Sequence, residues 1–361
     1  MSVYEERLAA DKNEIRRRVA AVGERVGRAI GAAVEGLLQR DEAACSRVIL
    51  GDLPVNRETR ALSKLCHVFI ARHLPSGSHL RFVSAVLQMN IALERIGDYA
   101  VTVAREGVQL TQAPPDSFAR EIRQLTRQAT SVLECALRAF SEGNAELARE
   151  TKPQTADTNR AYDRVYRDLL ERGDDLSLPD AFALLTVAYR LQRVNGQAKN
   201  ICEETLFEIT GETKPPKRYR ILFVDARGTL VAPLAVALAR KSFPESGEYH
   251  CAGYQAGQRL APELEELAQT LSLDLEDIAP LQLPTDHDSL DRYHAIVGLS
   301  PQVREHVKVL PYTTIYLEWQ LPLLADAANG NAVGEQLREL GVELNSKIHD
   351  LMVTMRGDDA S

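Results

Sequence analysis

The stretch that decides the fold of the second half of the chain is YRILFVDARGTLVAPLAVALARK, residues 219–241. Its apolar run, Ile221–Val224, predicts a buried parallel strand, and the Ala/Leu-rich segment from about Ala232 to Lys241 predicts a helix. A short turn, residues 225–231, joins them. A strand, a tight turn and a helix N-terminus together present backbone N–H groups to an oxyanion. The stretch therefore has the frame of a phosphate-handling loop.

Further apolar runs extend this α/β pattern towards the end of the chain. We expect strands at Arg220–Val224, Tyr249–Ala252, Ala295–Leu299 and Thr313–Trp319, with helices between them. A last helix carries apolar residues from Val333 to Leu351. Alternating strands and helices of this length predict an open four-stranded parallel sheet with flanking helices over residues 218–355.

The first part of the chain contains an internal repeat. Residues 1–111 and 116–212 each read as a three-helix unit, and a linker rich in Lys and Pro, residues 213–218, separates them from the α/β domain. The apolar stripe of the first helix, Val19, Val22, Val26, Ala29, Ala33 and Leu37, recurs as Ile122, Leu125, Ala129, Val132, Ala136 and Phe140. The stripe of the third helix, Met89, Leu93, Ile96, Ala100 and Val103, recurs as Val187, Leu191, Val194, Ala198 and Ile201. We predict tandem three-helix bundles, six helices in all, in a multi-domain α plus α/β protein.

The composition of the chain indicates its compartment and the classes of partner that it can bind. The 361 residues carry a net charge of −8, which argues against a nucleic-acid or anionic-membrane surface as the main partner. The five cysteines are scattered and odd in number, which indicates reduced thiols. The N-terminal residues are charged, and no apolar run is long enough to span a bilayer. We therefore expect a cytoplasmic protein that meets a membrane only through its partners.

The third helix carries a family signature. Residues 93–100, LERIGDYA, resemble the LERIGD element of PhoU-family phosphate-uptake regulators, and the resemblance extends over roughly residues 1–213. It implies a non-enzymatic regulator that contacts the ATPase of the phosphate transporter and a membrane sensor kinase. Whether the chain forms a homodimer stays open.

The acids of this signature are candidate metal ligands. Glu94 and Asp98 are four residues apart and share one helical face. In PhoU proteins such acids hold surface metal clusters, commonly iron, so the resemblance implies a divalent metal or iron at this pair. The second copy has Gln192 and Gly196 instead, and its remaining acids are Glu203, Glu204 and Asp163. A solvated acidic face is the favoured alternative.

The outer face of the two third helices is the predicted partner-binding surface. The polar residues of this face belong to the signature or to the matching segment of the second copy, and they fall outside the apolar stripes. They are Glu94, Arg95, Asp98, Arg193, Asn195 and Lys199.

The phosphate-loop frame resembles the low-molecular-weight protein tyrosine phosphatase and arsenate reductase family, in which this turn is a Cys-x-x-x-x-x-Arg loop. Asp225 stands at the nucleophilic cysteine, Val231 at the phosphate-binding arginine and Leu323 at the general acid. A carboxylate cannot replace the attacking thiolate, and at the positive end of the helix it occupies the place of the anion. The resemblance implies a pseudoenzyme that serves as a docking domain.

Two alternatives from other classes stay open at this point. The α/β domain could be a hydrolase or an arsenate reductase-type enzyme that uses other residues. The helical part could act as a metal or phosphate sensor through Glu94 and Asp98.

Overall fold

The computed structural model describes residues 3–153, 157–172, 176–214, 216–321 and 330–357. The chain divides into two compact units, Met1–Lys214 and Pro215–Ser361, which we call the helical unit and the α/β unit. The predicted fold class, a helical region followed by a parallel α/β sheet, is confirmed.

Six long helices and two short ones form the described part of the helical unit. They are α1 (Val3–Gln39), α2 (Glu42–Leu50), α3 (Asp52–His73), α4 (Gly77–Gln109), α5 (Asp116–Glu142), α6 (Ala145–Thr151), α7 (Asp157–Arg172) and α8 (Leu178–Thr210). The long helices are the six that the sequence predicts. The short helices α2 and α6 were not predicted, and each follows the first long helix of its copy.

The repeat extends to the residues that begin these short helices. The side chain of Asp41 accepts a hydrogen bond of 2.8 Å from the amide of Ala44. The side chain of Asn144, 103 positions later, accepts one of 3.0 Å from the amide of Leu147. Both therefore cap a helix N-terminus by satisfying an amide that has no partner within the helix.

The apolar stripes of both copies meet in one core. Every member of the predicted stripes is buried except Ala29, which is partly buried and packs against the others. The rings of Phe82 and Phe140 stack at a centroid distance of 6.2 Å between the two copies. Helices α4 and α8 pack directly against each other. The two third helices are thus held rigidly by the core, and their polar faces have fixed positions.

The α/β unit is built on four parallel strands in the order β2-β1-β3-β4. Its elements are β1 (Tyr219–Asp225), α9 (Val231–Ser242), β2 (Gly247–Gly253), α10 (Pro262–Leu271), α11 (His287–Leu290), β3 (Ala295–Gly298), α12 (Val303–His306), β4 (Ile315–Glu318) and α13 (Gly330–Arg356). All four predicted strands are present. Strand β1 lies in the middle of the sheet, and the chain runs first to one side of it and then to the other. A crevice forms at the carboxyl ends of β1 and β3 for this reason.

No helix in the described ranges combines the length and the apolar character that crossing a membrane requires.

Candidate functional site

The signature acids lie on the exposed side of α4, beside the first turn of α3. Glu94 and Asp98 are both exposed. Gly97 lets α3 come close, because a Cβ atom there would lie 3.3 Å from Cγ1 of Val55 and 3.9 Å from Oδ1 of Asp52. Burial, followed by the carboxylates of Asp52 and Glu94, raises the pKa of Asp98. We call Asp52, Glu94 and Asp98 the acidic face.

The partners of the three carboxylates decide the net charge of the acidic face. Among the residues that the structure describes, neither Glu94 nor Asp98 forms an ion pair. Asp52 accepts a hydrogen bond of 2.7 Å from the side-chain amide of Asn56, which carries no charge. The three carboxylates therefore repel one another and present net negative charge to solvent.

The corresponding residues of α8 do not form a matching face. Arg193 is exposed and Lys199 is half-buried, but only 1% of Asn195 is exposed. The expectation that Asn195 lies on an outer face is therefore wrong. Asn195 takes the register of Gly97, 98 positions earlier, which is also buried. The predicted six-residue surface does not exist as one continuous patch.

Arg95 neighbours Asp98, three positions further on, but is offset from the acidic face towards α8. It lines a groove of about 490 Å³ between α4 and α8, whereas Glu94 and Asp98 do not. On a helix, successive residues are turned by about 100°, so Arg95 and its neighbour Glu94 cannot share a face. The sequence prediction grouped these side chains by position along the helix, and the structure separates them by direction.

The remaining acids of the second copy do not complete a metal site. The two carboxylate oxygens of Glu203 lie 3.2 Å from Nζ of Lys152 and 3.2 Å from Nζ of Lys214. Asp163 is on α7 and only 3% exposed. Within the described ranges, no group of three or more His, Cys, Asp or Glu side chains is arranged to hold a metal ion. The acids that the structure describes therefore do not fit a metal cluster.

In the α/β unit, the carboxylate of Asp225 fills the turn after β1. Its Oδ2 atom accepts a hydrogen bond of 2.8 Å from the amide of Ala232 in the first turn of α9. Its Oδ1 atom accepts one from the amide of Gly228. Burial raises the pKa of Asp225, although these bonds and those of the Arg227 and Val231 amides favour the charged form. The positive end of α9 is thus occupied by a side chain of the protein itself.

Hydrogen bonds from the segment after β2 hold the loop around Asp225 in place. The carbonyl oxygens of Ala226 and Arg227 each accept a hydrogen bond of 2.8 Å from amides in the segment after β2. Gly228 has a φ of 64°, and a Cβ atom on it would lie 2.8 Å from the amide nitrogen of Gly253. Such a close approach needs glycine. Because the carbonyl groups are tied outward, the loop amides face inward towards the carboxylate.

A pocket of about 480 Å³ opens beside this turn, at the carboxyl ends of β1 and β3. Asp225 and the exposed Arg227 contribute its charged groups. Val231, Leu321 and Leu340 contribute to an apolar wall. Val231 stands where the resemblance places a guanidinium group, and it offers no charge there. Leu323, the counterpart of the general acid, lies outside the described residues.

The nearest thiol in the fold does not replace the missing nucleophile. Cys251 is buried on β2, and burial raises its pKa to about 11. The reactive form of cysteine is the thiolate, so a thiol with this pKa is almost entirely unreactive at neutral pH. Asp225 has both oxygens in hydrogen bonds to loop amides. The described turn therefore holds a hydrogen-bonded carboxylate in the place of a thiolate.

Residues 19–107 and 122–205 match the family model described as PhoU domain. We refer to these two matching regions as the PhoU domains. A relative from Pseudomonas putida, described as "Phosphate-specific transport system accessory protein PhoU homolog", is 27% identical over 227 residues, which cover 62% of this chain and 88% of the relative. The crystal structure of PhoU from Pseudomonas aeruginosa is similar with 26% identity and a TM-score of 0.53, over 56% of this chain and 99% of that chain.

The α/β unit lies outside the PhoU domains. It is similar to the tyrosine phosphatase Wzb from Escherichia coli K30, with 16% identity and a TM-score of 0.31, over 37% of this chain and 99% of that chain.

Sequence reasoning missed one residue of the first PhoU domain and one of the α/β unit. Asp52 belongs to the acidic face through the packing of α3 against α4, and no local sequence pattern signals it. Arg227 is the cation of the pocket. The phosphatase resemblance assigns no role to the position of Arg227, so a comparison with that family's catalytic residues does not identify it.

Proposed function

We propose that this protein is a cytoplasmic regulator of phosphate uptake and of phosphate-starvation signalling that acts by protein contact. The observation that carries the proposal is the acidic face on the LERIGD element of the first PhoU domain. Relatives of the PhoU domains are named accessory proteins of a phosphate-specific transport system. The partners we propose are the ATPase of the phosphate transporter and a membrane sensor kinase.

Electrostatics favours the acidic face as the docking surface. Glu94 and Asp98 are exposed and form no ion pair among the described residues, and the raised pKa of Asp98 reflects burial and the repulsion of Asp52 and Glu94. A partner surface with Lys or Arg side chains would relieve this repulsion on binding, and charge complementarity speeds association and selects the partner. Because Glu94 and Asp98 lie outside the core, binding can use them at little cost in fold stability.

The α/β unit serves, in this proposal, as a second docking domain and not as an enzyme. Its support is the turn after β1, where Asp225 takes the place of both the nucleophile and the anion. Because Asp225 stands in place of the thiolate and Val231 in place of the phosphate-binding guanidinium group, the loop lacks the groups that would attack and stabilise a transferring phosphoryl group.

The test is a charge reversal on the acidic face. Glu94→Lys combined with Asp98→Lys should abolish capture of the transporter ATPase and the sensor kinase from membrane extract, with both identified by mass spectrometry. The matched control is Glu134→Lys with Glu142→Lys, two exposed acids of α5 that change the net charge equally. Thermal melting of all variants monitors the fold. Unchanged capture by a well-folded Glu94/Asp98 variant would place the interface elsewhere.

The same variants address a metal-sensing role. Elemental analysis of protein purified without chelator should give little or no iron, and equal values for the wild type and the Glu94/Asp98 variant. A reproducible stoichiometric iron content that Glu94→Ala removes would favour the sensor instead.

A further inference from the structure

The pocket of the α/β unit lies where open parallel sheets bind small ligands. The strand order reverses at β1, and the crevice at the carboxyl ends of β1 and β3 is the general ligand position in such sheets. A volume of about 480 Å³ falls within the range of about 300–1,000 Å³ typical of small-molecule sites. The proposed docking function of the PhoU domains makes no use of this pocket.

The chemistry of the pocket excludes a phosphate group from its inner end. The amides of Gly228 and Ala232 that would bind an oxyanion are already bonded to Asp225. A dianion brought to the same place would meet a carboxylate, which repels it. The inner end is therefore closed to free phosphate, arsenate and phosphate esters.

The walls of the pocket instead suit an apolar group. Leucine, valine and proline side chains make up most of the lining that surrounds Asp225, and Leu340 comes from the buried face of α13. Removing apolar surface from water stabilises a bound group by roughly 25 cal/mol per Å². An alkyl or aryl body would gain this energy where it lies against the Leu, Val and Pro side chains of the lining.

One cation stands at the edge of the pocket. Arg227 is exposed and lines the pocket, and in the described parts of the chain it forms no ion pair. Asp225 is the other charged residue of the lining, but its oxygens are engaged by the loop amides. A guanidinium group binds a carboxylate through two parallel hydrogen bonds.

We propose that the pocket binds a small monocarboxylate with an apolar body. The carboxylate pairs with Arg227, and the alkyl or aryl body lies against Val231 and Leu340. We expect a ligand with one negative charge because Arg227 is the one cation in the described lining of the pocket. Asp225 sets the orientation of the ligand, because it repels the ligand's carboxylate from the inner end.

A tryptophan near the pocket can report ligand binding by its fluorescence. Trp319 is the only tryptophan, it precedes Gln320 and Leu321 of the lining, and its ring centroid lies 5.8 Å from that of Phe223. Titration of the full chain with 3-phenylpropanoate, followed by tryptophan fluorescence and calorimetry, should give saturable binding. The neutral alcohol 3-phenylpropanol should bind about tenfold more weakly, because it lacks the charge-assisted hydrogen bonds. Inorganic phosphate should not compete.

Variants connect the binding to Arg227. Arg227→Glu should weaken 3-phenylpropanoate binding by about tenfold or more, because attraction becomes repulsion. Arg292→Glu is the matched control, since Arg292 is equally exposed but precedes β3, at the opposite end of the sheet. Absence of saturable binding, equal affinity for the alcohol, competition by phosphate, or an unaffected Arg227→Glu variant would each overturn the proposal. The Glu94/Asp98 variant should bind the probe normally, so this proposal and the docking proposal can fail separately.

Discussion

The carboxylate of Asp225 and the amide of Ala232 lie 2.8 Å apart although seven positions separate them in the chain. This bond joins the last residue of β1 to the first turn of α9. It satisfies one of the N-terminal amides that the helix itself cannot pair. The turn is thus closed by a residue that, by the resemblance, stands at the position of a nucleophile.

The first prediction concerns the stability of the α/β unit. Asp225→Ala removes the acceptor of the Gly228 and Ala232 amides and should lower the free energy of unfolding by about 1–3 kcal/mol, the usual cost of leaving a buried donor unsatisfied. Asp225→Asn keeps one side-chain acceptor oxygen and should cost less. Urea unfolding followed by the fluorescence of Trp319, which lies in this unit, measures both. Equal stability of wild type and Asp225→Ala would show that water replaces the carboxylate.

The second prediction concerns catalysis. The wild-type protein should hydrolyse phenyl phosphate no faster than buffer, and it should not reduce arsenate in the presence of thiols. Each missing catalytic group typically contributes orders of magnitude in rate. Turnover that Asp225→Ala abolishes would contradict this expectation and make Asp225 a catalytic residue.

The third prediction concerns pH. The pKa of Asp98 is raised above its ordinary value of 3.8 by burial and by Asp52 and Glu94. A carboxyl group of this kind binds its proton more tightly in the folded state, so its contribution to stability falls as the pH rises through the window above 3.8. Asp98→Asn should therefore be more stable than wild type at pH 7, and the difference should shrink as the pH falls towards 4. Urea unfolding across this range tests it, and a stability difference that does not change between pH 4 and pH 7 would contradict it.

The fourth prediction concerns the junction of the two PhoU domains. Asp180, which is 1% exposed, accepts hydrogen bonds of 2.8 Å from the amide and 2.5 Å from the hydroxyl group of Thr111. Asp180→Ala should cost about 1.5–3 kcal/mol, the range for hydrogen bonds to a charged group. Thr111→Val removes only the hydroxyl bond and should cost less. A double-mutant cycle between the two variants should give a non-zero coupling energy.

The bonds around Asp180 also set the direction of its pH dependence. Burial acts to raise the pKa of Asp180, but the bonds from Thr111 and Ser177 lower it overall. The contribution of Asp180 to folding stability is therefore complete at a pH above 3.8, its ordinary pKa. It is lost as the pH falls through the lower pKa of the folded state. This trend is opposite to that of Asp98.

The fifth prediction concerns independent folding. The linker of residues 213–218 gives no reason for a shared core, so residues 1–212 and residues 218–355 should each fold when expressed alone. Circular dichroism and thermal melting of each fragment measure this. A non-cooperative melt of the fragment that ends at Glu212 would show that the boundary is misplaced.

The sequence predicted the helices and strands well because their burial follows a simple period. The repeat of apolar positions on the first and third helices identified the core, and the run Ile221–Val224 identified the central strand. The short helices α2 and α6 were missed because seven to nine residues carry too few apolar turns to show a period. Their capping residues, Asp41 and Asn144, were the better signal.

The candidate surface was predicted less well because direction on a helix matters as much as position. Asn195 was placed outside although the repeat offset assigns it to the buried position of Gly97. Arg95 was grouped with Glu94, yet it faces α8. Asp52 joins the acidic face only through the close packing of α3 on α4, a tertiary contact that no local pattern contains.

The position of Asp225 has a consequence for what the α/β unit can report to the cell. A ligand that is part of the chain has a local concentration that no dissolved competitor matches, and it never diffuses away. The loop after β1 therefore behaves as a permanently saturated receptor, with the same occupancy in phosphate-starved and phosphate-rich cells. In the proposed function, information about phosphate therefore enters the protein at a surface other than this loop.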